Sequence, residues 1–129
     1  MNRLFIRAMS ALVKKHILCI QTLARYKNNN IKKAIIANAD AKLLCALAEC
    51  AYNILTKNIP LTALQRRRLG KYRTKLRELA RKNTTAARRK RFLLPQIGKG
   101  QSGGFLSAFL APLTGSVLLP LLRQVFAGN

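Results

Sequence analysis

Thirteen of the chain's twenty-five Lys and Arg residues lie between Arg66 and Arg91, and Glu78 is the one acid among them. A run of guanidinium and ammonium groups does one kind of chemistry well. It neutralises the phosphates of a polyanion and releases the counterions condensed on it. The cations concerned are Arg66, Arg67, Arg68, Lys71, Arg73, Lys75, Arg77, Arg81, Lys82, Arg88, Arg89, Lys90 and Arg91. A merely solvated face usually mixes signs, and this one does not, so phosphate contact is the expectation for all thirteen. Reading of base edges is not implied, because Asn and Gln are sparse here and Arg and Lys alone mostly position a backbone. Arg88-Arg89-Lys90-Arg91 also has the look of a nuclear-import patch, a motif that matches by chance very often.

Catalysis finds few tools in this composition. His16 is the single histidine, and Asp40, Glu49 and Glu78 are the only acids. A triad, a carboxylate pair or a two-metal site would need groups from another subunit. The glycines between Gly98 and Gly104 follow no strand and lack dinucleotide-loop spacing, so they read as a linker. Cys19, Cys45 and Cys50 are odd in number and irregular in spacing, which gives no disulfide framework and suggests a reducing compartment. On a helix Cys45 and Cys50 would sit roughly 140° apart, poorly placed to share a metal. No enzyme, no cofactor and no metal is expected.

Composition limits the partners. The formal net charge is +22 over 129 residues, yet half the residues are hydrophobic, too many for a disordered polycation. Self-repulsion at that charge calls for a neutralising partner, nucleic acid or anionic lipid. The first thirty-nine residues hold no acid, a pattern that superficially fits a mitochondrial presequence, although the rest of the chain is equally acid-poor.

Periodicity then gives the elements that must carry these cations. Residues 3–26 read as a helix, with Leu4, Phe5, Ala8, Met9, Leu12, Val13, Ile17, Ile20, Leu23 and Ala24 on its apolar stripe. Asn28-Asn29-Asn30 stops it, and a short basic segment, 31–37, leads onward. Asp40 can cap a helix from Ala41 to about Lys57, whose apolar face is Leu43, Leu44, Leu47, Ala51, Ile54 and Leu55. Asn58-Ile59-Pro60 breaks it. Thr62-Ala63-Leu64-Gln65 is a capping-box sequence opening a second, basic helix with Leu69, Tyr72, Leu76 and Leu79 inward. Tyr72 falls on that stripe, so core packing is expected of it rather than stacking on a base. The two helices should form a hairpin, short enough to need the N-terminal helix, a dimer partner or the polyanion for full stability. Beyond Asn83-Thr84-Thr85, residues 86–94 form a further turn or two, stopped by Pro95.

From Gly100 to Leu122 the chain carries no charge. Phe105, Leu106, Phe109, Leu110, Leu113, Val117, Leu118, Leu121 and Leu122 are its candidates for membrane or partner contact. Twenty-three uncharged residues could span a bilayer, though Pro112, Gly115 and Pro120 favour an interfacial or re-entrant segment. A core helix of an assembly, or a segment docked in a partner's groove, fits as well.

The expected fold is all-α. It has an N-terminal amphipathic basic helix (1–33), a basic helical hairpin with its Arg/Lys cluster (34–94), a Gly-rich linker (95–104) and a hydrophobic tail (105–129). The order Ala39-Asp40-Ala41-Lys42-Leu43-Leu44, Ala48-Glu49-Cys50, Asn53-Ile54-Leu55, Asn58-Ile59-Pro60-Leu61-Thr62, Gln65, a Lys/Arg helix and Gly103-Gly104-Phe105-Leu106 resembles a group of small virion proteins. These belong to adintoviruses and related Polinton-like elements, and are likened to adenovirus core protein X, or mu. The resemblance covers roughly residues 35–126. It implies a capsid-internal protein that condenses double-stranded DNA, with Arg66 to Arg91 on the DNA and Phe105 to Phe126 on a membrane or the capsid. It places the protein in the virion interior and host nucleus. It also implies protease cleavage near Gly-Gly, although Gln101 stands where an aliphatic residue is the pattern. Two other readings remain. One is a membrane-associated, pore-type protein holding anionic lipid. The other is a ribosomal-type protein that binds RNA in preference to DNA.

Overall fold

A computed structural model describes residues 11–57, 59, 61–97 and 104–113. Every regular element among these is helical: α1 (Ala11–Arg25), α2 (Asn29–Ala37), α3 (Ala41–Leu55), α4 (Ala63–Gly70), α5 (Arg73–Ala80), α6 (Ala86–Leu93) and α7 (Phe105–Leu110), with 3-10 turns at Leu94–Gln96 and Ala111–Leu113. The all-α expectation therefore holds.

The helix starts are set by side chains that replace missing backbone partners. Asp40 Oδ1 accepts from the Leu43 amide at 2.8 Å and opens α3. Thr62 and Gln65 form the full reciprocal box at α4: the Gln65 amide donates to Thr62 Oγ1 at 3.1 Å, and the Thr62 amide to Gln65 Oε1 at 3.0 Å. Thr85 Oγ1 accepts from the Arg88 amide at 3.1 Å and opens α6. The Asn28 side chain accepts from the Asn30 and Ile31 amides. The Asn run that ends α1 thus also starts α2, where only a connecting segment was expected.

α3 is the centre. Leu43, Leu44, Ala46, Leu47, Ala48, Cys50, Ala51 and Ile54 are all buried, so apolar side chains surround most of its circumference. Its neighbours are α1, α5 and α6, and its most extensive packing is against α5. That is the expected hairpin, with Leu76 and Leu79 of α5 buried and Leu69 of α4 beside them. Val13, Ile17, Ile20 and Leu23 of α1 follow one another at helical spacing and are likewise buried. Residues 3–10 of the expected first helix lie outside the described residues.

Two expectations need correction. The basic stretch is two helices, not one. α4 ends at Gly70, Lys71 and Tyr72 form a turn, and α5 begins at Arg73. Glycine, which weakens a helix by about 1 kcal/mol relative to Ala, marks the break, and the Tyr72 ring turns edge-on to Phe105 at 5.7 Å. The larger correction concerns the apolar segment. Phe105, Leu106, Ala108, Phe109, Leu110 and Leu113 are buried core residues, and α7 packs on α1 and α4. Phe105 stacks on Phe109 at 5.9 Å and meets Phe92 edge-on at 6.0 Å. The physical reason is area. A two-helix hairpin has too little apolar surface to close a core, and each large apolar side chain removed from water contributes about 1.5–3 kcal/mol. Residues 105–113 supply the missing face.

One residue takes a backbone conformation that opposes its type. Lys57, just past the end of α3, has φ of 64°. Helices commonly end on such a left-handed residue, but it is usually Gly. A side chain there costs roughly 1–2 kcal/mol.

Candidate nucleic-acid interface

The thirteen cations do not share one fate. Arg66, Arg67, Lys71, Arg73, Arg77, Arg81, Lys82, Arg88 and Arg91 are exposed; Arg68, Lys75 and Lys90 are half-buried; Arg89 is buried. The exposed set follows from the helices that carry it. On α5, burial of Leu76 and Leu79 turns Arg73 and Arg77, one turn apart, to solvent. On α6, burial of Leu93 and Arg89 does the same for Arg88 and Arg91. Arg67 and Arg68, Arg77, and Lys90 and Arg91 stand in the last turns of α4, α5 and α6. There the helix dipole is negative and favours a cation.

Several of these groups have intramolecular work. Arg89 Nη2 donates to the Arg81 carbonyl at 2.6 Å, and its Nη1 to Cys45 Sγ at 3.3 Å. Arg89 is only 8 % exposed and its Nε has no partner. It ties α6 to α3 and to the end of α5, so its assignment to phosphate contact is corrected: it is a core residue. Lys90 Nζ donates to the Ala37 carbonyl at 3.0 Å and closes the end of α2. Lys75 Nζ donates to Gln96 Oε1 at 3.0 Å and sits over the Tyr72 and Phe105 rings. Arg81 pairs with Glu78 at 3.5 Å, an exposed pair of small worth. Lys82 Nζ lies 5.1 Å above the Tyr52 ring, still exposed.

What remains for a phosphate backbone is the exposed set less Arg81: Arg66, Arg67, Lys71, Arg73, Arg77, Lys82, Arg88 and Arg91. Sequence reasoning had no signal for the burial of Arg89, because no carboxylate lies close in sequence to account for it. Its partners are a thiol and a main-chain carbonyl, which only the fold brings near.

The apolar candidates divide as well. Phe105, Leu106, Phe109, Leu110 and Leu113 face the core and are corrected accordingly. Val117, Leu118, Leu121 and Leu122 lie outside the described residues. No described helix is long and apolar enough to cross a membrane. Among the described residues no three of His, Cys, Asp and Glu gather as a metal site. Burial pushes the Cys50 thiol up to about 12, with Glu49 adding to the effect, and burial followed by the Asp40 charge raises Cys19. Both thiols are correspondingly poor nucleophiles at neutral pH. Comparison of the chain with protein-family models, with curated proteins and with solved structures found no match in any of the three.

Proposed function

We propose that this is a non-enzymatic, structural nucleic-acid-binding protein that holds and condenses double-stranded DNA through its phosphates, as a core component of a virion or virus-like element. The observation that carries the reading is the set of eight exposed cations on α4, α5, α6 and their connections, a stretch whose one acid, Glu78, is already engaged by Arg81. Each phosphate paired by one of them releases condensed cations to bulk solution. Binding is therefore entropic, indifferent to sequence and steeply dependent on salt. The helices carry the cations outward from a buried apolar core, and the polyanion in turn relieves the repulsion among them. Capsid proteins as partners, and the virion interior and host nucleus as locations, belong to the same proposal and rest on the resemblance of residues 35–126 to adintovirus virion proteins.

Titration of the full chain against random-sequence duplex DNA from low to high salt tests this. Eight phosphate contacts give a log–log slope of about −7. A slope shallower than about −3 overturns the proposal, and tighter binding to folded RNA than to duplex DNA transfers it to the ribosomal-type reading.

A further inference from the structure

A second site borders the phosphate-contacting surface and shares Arg66 and Arg73 with it. Between the end of α3, the residues Ile59 and Leu61 and the α4–α5 corner lies a cleft of about 530 Å³, within the size range of small-molecule sites. Its apolar lining is Ile54, Leu55, Ile59, Leu61, Leu69 and Leu76, and Lys57, Arg66 and Arg73 also line it. No described lining residue is an acid. Arg66 is held in place by donation from Nη2 to the Leu61 carbonyl at 3.3 Å.

Two residues of this cleft stand in each other's expected places. Lys57 occupies a left-handed position that suits glycine. Gly70 ends α4 with a backbone that does not require glycine, and a Cβ there would meet nothing within 4 Å. Alanine at Gly70 and glycine at Lys57 would both make a more stable chain. Both departures from the stable choice fall on one cleft: the lysine adds a cation to its lining, and the glycine leaves its wall open. The backbone strain kept at Lys57 points to use of that place.

We propose that the cleft binds one molecule of a fatty-acid anion, with its acyl chain on the leucines and isoleucines and its carboxylate among Lys57, Arg66 and Arg73. Charge complementarity selects the occupant. An inorganic anion would leave the apolar floor wet, and a neutral hydrocarbon would leave three cations at the rim without a counter-charge. A second copy of this chain brings +22 of like charge to a cationic mouth. Arg66 and Arg73 also belong to the phosphate-contacting set, so DNA binding is read separately in the test.

The test is calorimetric titration of the full chain, under reducing conditions, with acetate, hexanoate, octanoate and decanoate below their micellar concentrations. One site is expected, tightening about fourfold per methylene until the cleft is filled, with acetate silent and decanol weaker than decanoate. Gly70→Leu fills the open wall and weakens decanoate binding at least tenfold, while helicity and the DNA salt slope stay as they were. Lys57→Gly weakens decanoate binding and raises Tm by a few degrees. Multiple weak sites indifferent to Gly70→Leu would mean adsorption on a polycation and would overturn the proposal. So would binding of inorganic phosphate as tight as that of decanoate, or binding to phosphatidylglycerol vesicles with none to monomeric decanoate.

Discussion

Arg89 and Phe109 sit in two regions whose compositions could hardly differ more, and both end up inside. One belongs to a run of four consecutive cations, the other to a run of twenty-three uncharged residues. Arg88 and Arg91 face solvent while Arg89, between them, is only 8 % exposed. In the apolar region Phe105, Phe109, Leu110 and Leu113 close the core over α1 and α4. Composition over a window therefore states what a segment could bind, whereas the fold decides which side chains remain free to do so. A buried guanidinium that satisfies a main-chain carbonyl is no longer a phosphate ligand, and a buried phenylalanine stacked on another ring is no longer a membrane anchor.

The comparison breaks most sharply at Phe109. Fully buried and stacked on Phe105, it loses its contacts and leaves a cavity when truncated. Phe109→Ala should cost about 3–5 kcal/mol, read as a lower denaturation midpoint in urea at constant m. A change below about 1 kcal/mol would mean that residues 105–113 stand away from the core. Arg89→Ala comes next. It removes a charge-assisted hydrogen bond to the Arg81 carbonyl and the packing of a long aliphatic stem. About 2–3 kcal/mol of stability should go with it, and the DNA salt slope should stay unchanged within error. A shallower slope would return Arg89 to the phosphate interface.

These two residues also mark how far the sequence was legible. The caps were readable because they are local: Asp40, Thr62 and Gln65 act within three residues of themselves. The inward stripe Leu69, Tyr72, Leu76 and Leu79 was readable because helical spacing survives the bend at Lys71 and Tyr72. α2 is hidden because three asparagines in a row read as a stop, although Asn28 is also a good start. The docking of residues 105–113 is a contact over long sequence separation, and nothing local distinguishes it from a tail that seeks a membrane. The burial of Arg89 is non-local in the same way, since Cys45 is 44 residues distant. Of the candidate interface, the residue types and their density were legible; the division into free and engaged cations was not.

A gentler test of the core uses pH. Cys50 is buried in the folded chain with its thiol pushed up to about 12, against about 8.5 in an exposed chain. Over that interval the unfolded state has lost a proton that the folded state keeps. Stability therefore falls as pH rises from about 9 toward 12, by up to about 1.4 kcal/mol per pH unit from this thiol. Below about 8 both states hold the proton and the contribution vanishes. Cys50→Ala should flatten the alkaline limb of the stability–pH curve relative to the native chain, even where its stability at neutral pH is lower. An equal alkaline slope in both chains would place Cys50 in contact with water.

The smallest expected effect separates binding from stability most cleanly. Arg88 lies in the first turn of α6 and Arg91 in its last, and both are exposed. The amide that Thr85 caps is the backbone of Arg88, so the cap survives a change of side chain. A cation near a helix start opposes the dipole, and one near its end is favoured by it, each by about 0.3–1 kcal/mol at low salt. Arg88→Gln should therefore raise stability slightly and Arg91→Gln lower it slightly. On DNA the two substitutions should be indistinguishable, each reducing the magnitude of the salt slope by about 0.9. If binding instead tracked stability, falling for one and rising for the other, the cations would be acting through the fold rather than on phosphate.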